Sequence, residues 1–102
     1  MEKRKPHYNL AEIKAVVRDP NFNPFTVSAR RGGIALGLTP REMREVVLSL
    51  SQSDFFKSMT TALDKSVWQD VYYGATPSNH SVYIKITGYN DGRPPIISFK
   101  AK

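Results

Sequence analysis

Two lysines, a glutamine and a tyrosine stand in short runs that are otherwise aromatic and aliphatic. Lys57 lies in SDFFKSMTT, Gln69 in VWQDVY, Tyr83 in VYIKIT and Lys100 in ISFKAK. This set suits metal-free RNA cleavage. The RNA 2′-hydroxyl is itself the nucleophile, so the protein need only align it with phosphorus, assist proton transfers and neutralise the phosphoryl oxygens. Lysine supplies a compact cation for the last task. A tyrosine near cations can have a lowered pKa and serve as acid or base. A glutamine amide holds a phosphate oxygen or a base edge, and aromatic rings stack on splayed bases.

Each residue also has a plainer reading. Lys57 can be a snorkelling side chain, Gln69 a pair within a sheet, Tyr83 a half-buried strand aromatic and Lys100 a terminal charge. Trp68, Tyr72 and Tyr73 read first as packing residues. Other chemistries have less support. Cysteine is absent, which removes disulfides, thiolate catalysis and cysteine zinc sites. His7 and His80 are far apart and lack a carboxylate at helical metal spacing, so no metal site is expected. An acid–base histidine pair stays open, against two solvated rings. Gly32-Gly33 lacks the pattern of a phosphate-cradling loop, and no serine-hydrolase elbow is present.

The charge fits a polyanionic partner. Lys and Arg number 15 against 9 acids, a formal net charge of +6. Residues 71–102 hold one acid, Asp91, against Lys85, Arg93, Lys100 and Lys102. At 102 residues and 40% hydrophobic content, the chain reads as one folded domain over residues 1–102. No apolar run nears the roughly 18 residues of a membrane span, and the basic N-terminus lacks the apolar stretch of a secretory signal. The absence of cysteine fits a reducing compartment.

The elements that must position these residues follow from periodicity. Asn9 caps a first helix, with Glu12 in capping-box position and Leu10, Ile13, Val16 and Val17 on one face; Asp19-Pro20 ends it. Asn21 to Phe25 reads as a loop. A second helix runs over Thr26 to Leu36, weakened by Gly32-Gly33 and stopped at Gly37. Thr39, Pro40 and Glu42 open a third, whose buried stripe is Met43, Val46, Val47 and Leu50. Arg41, Arg44 and Glu45 read as solvated. Four strand-like runs follow: Phe55–Thr60, Val67–Tyr73, Val82–Thr87 and Ile96–Lys100. Asn90-Asp91-Gly92 reads as a turn.

Helices first and strands after imply α+β, with the helices on one face of a mainly antiparallel sheet. Alternation sets Val82, Ile84 and Ile86 against Tyr83, Lys85 and Thr87, and Ile97 and Phe99 against Ser98 and Lys100. Tyr83, Lys85 and Lys100 therefore share the face away from the helices. Parity does not decide Lys57 or Gln69. Lys57 stands between Phe55 and Met59 at spacing two, and Gln69 between Val67 and Val71.

The chain resembles the MqsR family of bacterial toxins, the motility quorum-sensing regulators. The likeness starts at MEKRKPH, residues 1–7, includes the first helix and covers most of the chain. It is strongest over LSQSDFFKSMTT, VWQDVY, VYIKIT and ISFKAK. The resemblance implies a RelE/YoeB-like toxin fold. It implies a cytoplasmic, sequence-selective mRNA endoribonuclease that acts without ribosome, metal or other cofactor, at short GC-containing triplets. It assigns active-site roles to Lys57, Gln69, Tyr83 and Lys100, with Lys85 as a further RNA contact on the Tyr83 face. The implied partners are mRNA and a cognate MqsA-like antitoxin, with DNA reached only through the toxin–antitoxin complex and no membrane. Arg18–Gly33 and Gly88–Pro95 depart from the family pattern and leave the RNA preference and antitoxin contact open. Two rivals use the same features: a non-catalytic nucleic-acid-binding regulator, and an interaction module for an acidic protein.

Overall fold

A computed structural model describes residues 1–89 and 92–102. The chain runs β1 (Glu2–Lys3), α1 (Leu10–Arg18), α2 (Val27–Ala35), α3 (Pro40–Leu48), a single 3-10 turn (Gln52–Asp54), β2 (Phe55–Thr60), β3 (Trp68–Ala75), β4 (Ser81–Thr87) and β5 (Ile96–Ala101). The strands form one antiparallel sheet in the order β1-β2-β3-β4-β5, so the architecture is α+β. β1 lies outside the four runs that the sequence pattern picks out, because two residues carry no period. The Asn90-Asp91-Gly92 turn falls partly outside the described residues. Among those residues, no helix is long and apolar enough to cross a membrane.

The helix ends follow their capping chemistry. Asn9 Oδ1 accepts from Glu12 N at 3.1 Å, and Thr26 Oγ1 accepts from Ala29 N at 3.1 Å. Thr39 and Glu42 close a full capping box on α3, with Pro40 in the first turn. Gly37 stops α2 at φ +75, a conformation that costs other residues a Cβ clash. Gly32, expected to weaken α2, instead lets it lie against β5. A Cβ there would stand 2.7 Å from the Phe99 carbonyl oxygen.

One core joins both layers. Ile13 and Val17 of α1, Ala29 of α2, and Met43, Val46 and Val47 of α3 pack with Tyr72, Val82, Ile84, Ile86, Ile97 and Phe99 of the sheet. The helices thus cover a single sheet face, as alternation along β4 and β5 requires. Arg44 is not the solvated side chain that its place on α3 suggests. Its guanidinium donates to the carbonyl oxygens of Val17, Asp19 and Phe22, tying down the end of α1 and the loop behind it.

Candidate active site

The register decides the faces that parity leaves open. Tyr72 pairs with Ile84 and Asp70 with Ile86, so these β3 residues face the helices. Gln69, Val71 and Tyr73 pair with Thr87, Lys85 and Tyr83 and face away. On β2, Phe55 pairs with Tyr72 but Lys57 pairs with Val71, and Phe56 is an extra residue between them. This bulge turns Lys57 to the open face while Phe55 packs on the core. Val71 shares that open face and is nonetheless only 2% exposed. Lys57 and Lys85 are its neighbours across the two ladders, so their aliphatic stems can cover it.

All five residues singled out from the sequence therefore lie on the open face, one or more on each of four strands. They form three cross-strand rows. The first joins Tyr73, Tyr83 and Lys100; the second Lys57, Val71, Lys85 and Ser98; the third Met59, Gln69, Thr87 and Ile96. Lys100 Nζ stands 5.9 Å from the Tyr83 ring centroid. Gln69 Nε2 donates to Thr87 Oγ1 at 3.0 Å, which orients the amide. Lys57 and Lys100 are three strand spacings apart, about 14 Å between backbones. Both can reach a phosphate held above Lys85 only by leaning inward.

The structure adds neighbours that the pattern did not single out. Phe56 stacks on Tyr73 at 4.9 Å and Tyr73 meets Tyr83 at 5.0 Å, so an aromatic string crosses β2 to β4. Cations border it: Lys102 Nζ lies 4.3 Å from the Tyr73 centroid, Lys57 Nζ 5.3 Å and the Arg4 guanidinium 5.7 Å from that of Phe56. The Tyr83 hydroxyl holds the Tyr73 phenol above its ordinary pKa, and desolvation adds to this. Sequence pattern alone gives Tyr73 a packing role; its odd-numbered place beside Tyr72 on a strand is the signal that separates the two faces. Glu2 of β1 is a carboxylate among these cations. Lys57 Nζ donates to Glu2 Oε1 at 2.5 Å, and the lysine holds the Glu2 carboxyl below its usual value.

The histidines do not form a pair. His7 lies exposed beside the start of β3, its ring stacked on Trp68 at 5.3 Å, with Lys3 Nζ donating to its Nδ1 at 2.8 Å. Desolvation first, then the Lys3 charge, lower its pKa against the pull of Asp70. His80 sits in the β3–β4 turn, Nδ1 3.1 Å from Ser78 Oγ. The length of β3, about 20 Å, separates the two. Trp68 shares the parity of Asp70 and Tyr72 and is absent from the open face. Among the described residues no group of three or more His, Asp or Glu is placed to hold a metal ion.

A sheet face of lysines, tyrosines and a fixed amide offers phosphate charge neutralisation and proton transfer side by side. The family described as "Motility quorum-sensing regulator, toxin of MqsA" matches residues 5–101. The mRNA interferase toxin MqsR of Escherichia coli (strain K12) is 43% identical over 102 residues, all of this chain and all of that protein. With nearly the whole sequence matched and a curated relative aligned end to end, the chain belongs to the MqsR toxin family.

Proposed function

We propose that this single-domain chain is a cytoplasmic endoribonuclease toxin that cleaves mRNA at GC-containing triplets, independently of ribosome and metal. The observation that carries the mechanism is the Tyr83–Lys100 pair, ring and ammonium 5.9 Å apart on the same face as Lys57. The scissile phosphate lies over the middle of the face, with Lys57 and Lys100 neutralising its oxygens from either side. Tyr83 aligns the 2′-hydroxyl or moves its proton. Gln69, oriented by Thr87, holds a phosphate oxygen or base edge, and Lys85 adds a phosphate contact. The 2′-oxygen forms a bond to phosphorus as the 5′-oxygen leaves with a proton, which gives a 2′,3′-cyclic phosphate and a 5′-hydroxyl. The partner is an MqsA-like antitoxin, and DNA is reached only through that complex.

Purified protein with GC-containing RNA in EDTA tests this directly. Cleavage with cyclic phosphate ends is expected. Intact RNA at every enzyme concentration, with steeply salt-dependent binding, would instead identify a non-catalytic nucleic-acid-binding protein.

A further inference from the structure

The open face continues past Gln69. Between the β2–β3 loop and the segment after β4 lies a cavity of about 510 Å³, bordered by Leu63, Asp64, Gln69, Thr87, Tyr89 and Arg93. That volume falls within the range of small-ligand pockets. One wall sets the Arg93 guanidinium over the Tyr89 ring, 3.9 Å from its centroid. Its rim presents one apolar side chain on a hydrogen-bonded loop. Leu63 is fully exposed, at 101%. The loop that carries it is pinned by its own bonds: Thr61 Oγ1 donates to Asp64 O at 2.7 Å and accepts from Asp64 N at 3.0 Å. Ser66 N and Oγ donate to Asp64 Oδ1 at 2.9 and 2.6 Å.

These features match one flat heteroaromatic ring with polar edges. A ring stacks on the Tyr89–Arg93 wall, where base–aromatic and cation–π attraction act together. Leu63 loses its contact with water against such a ring. The Gln69 amide spends one N–H on Thr87 and keeps its other N–H and its carbonyl oxygen for an edge. The distance also fits. Tyr83 and Thr87 are four residues apart on β4, about 13 Å, so the cavity lies within one or two nucleotides of the phosphate site.

We infer that this cavity is a nucleobase subsite, which takes one unstacked base beside the scissile phosphate and sets the nucleotide preference there. The inference rests on reading the chain as an RNA-cleaving enzyme. The test measures binding to a short RNA made uncleavable by a 2′-deoxy sugar at the cut position, with each base removed in turn. Wild-type affinity falls about tenfold at one position or two adjacent ones. Tyr89→Ala abolishes that dip, Tyr89→Phe retains it, and Arg93→Ala makes it shallower. An abasic profile that is flat, or identical in wild type and Tyr89→Ala, overturns the subsite. Should Tyr89→Ala fail to fold, an unchanged profile in Arg93→Ala overturns it equally. If unmodified RNA stays uncut while the Tyr89-dependent dip is present, the catalytic reading fails and the subsite stands.

Discussion

Phe55 and Lys57 sit two residues apart on β2 and point to opposite faces of the sheet. Phe56 is the extra residue between them, with no register partner on β3. The ammonium of Lys57 thereby reaches the face of Tyr83 and Lys100, while Phe55 meets Tyr72 at 5.4 Å on the core side. Lys57→Ala is expected to lower kcat for RNA cleavage about 10²–10³-fold, the scale of losing one preorganised charge-stabilising group. The Tm should fall by only a few degrees, since the ion pair with Glu2 contributes little and the lost stem uncovers part of Val71. Single-turnover cleavage and a thermal melt check both. Full activity removes Lys57 from the mechanism.

The Glu2–Lys57 bond draws the ammonium toward the edge strand β1, away from the middle of the face where the substrate phosphate is proposed to lie. Phosphate binding then has to break that bond. Glu2→Gln should lower KM for RNA several-fold and leave kcat unchanged, because only the competition in the free enzyme is lost. The sign of the pH effect follows from Lys57 holding the Glu2 carboxyl below its usual value. The ion pair is complete above the ordinary carboxylate range and is lost as pH falls through the depressed value. Wild-type KM should therefore approach that of Glu2→Gln on acidification. A KM that is identical at neutral pH refutes the competition.

How far the sequence shows this arrangement depends on how local its cause is. The α3 box of Thr39 and Glu42 is legible because four consecutive residues contain it. The faces of Tyr83 and Lys100 were legible because β4 and β5 alternate without interruption. Lys57 was not, since a bulge is defined only by the strand opposite. Neither was Arg44, whose three carbonyl partners lie 22 to 27 residues away. The roles of Lys57 and Gln69 came from family resemblance, and the pairing register later supplied a common face for them.

Tyr72 is 1% exposed, and among the described residues its hydroxyl has no hydrogen-bond partner. Burial pushes the phenol pKa up to about 12 from 10.0, and Asp70 adds to the shift. A buried donor without an acceptor costs about 1–3 kcal/mol, whereas the ring packs the core. Tyr72→Phe should thus be neutral or stabilising by about 1 kcal/mol in urea unfolding. Its pH profile should differ from wild type in one window. A raised pKa gives stability that is complete below the unfolded value of 10.0 and is lost as pH rises through about 12. The variant should escape that alkaline loss. Destabilisation by Tyr72→Phe at neutral pH contradicts the orphaned hydroxyl.

Asp70 is wholly buried, and its carboxylate accepts from His7 N at 3.0 Å to both oxygens and from Tyr8 N at 2.9 Å. This fastens the segment before α1 to the middle of the sheet. Tyr8 strengthens the join by donating its hydroxyl to Trp68 O at 2.7 Å. Asp70→Ala leaves those backbone donors unmatched and should cost about 2–3 kcal/mol. The segment should loosen before the core does, because the core contacts of Tyr72 and Ile86 do not depend on it. Trp68 is the one tryptophan in the chain and carries the His7 stack, so its fluorescence reports the change. A red shift and faster amide exchange at residues 7–8 should precede global unfolding. The His7 pKa should fall further, since the Asp70 charge now raises it against burial and Lys3. Asp70→Asn keeps an acceptor oxygen and should lose less stability, while the His7 pKa falls as in Asp70→Ala because both variants remove the charge. If Asp70→Ala unfolds in one step with the Trp68 signal tracking the core, the carboxylate holds the whole sheet together and not this segment alone.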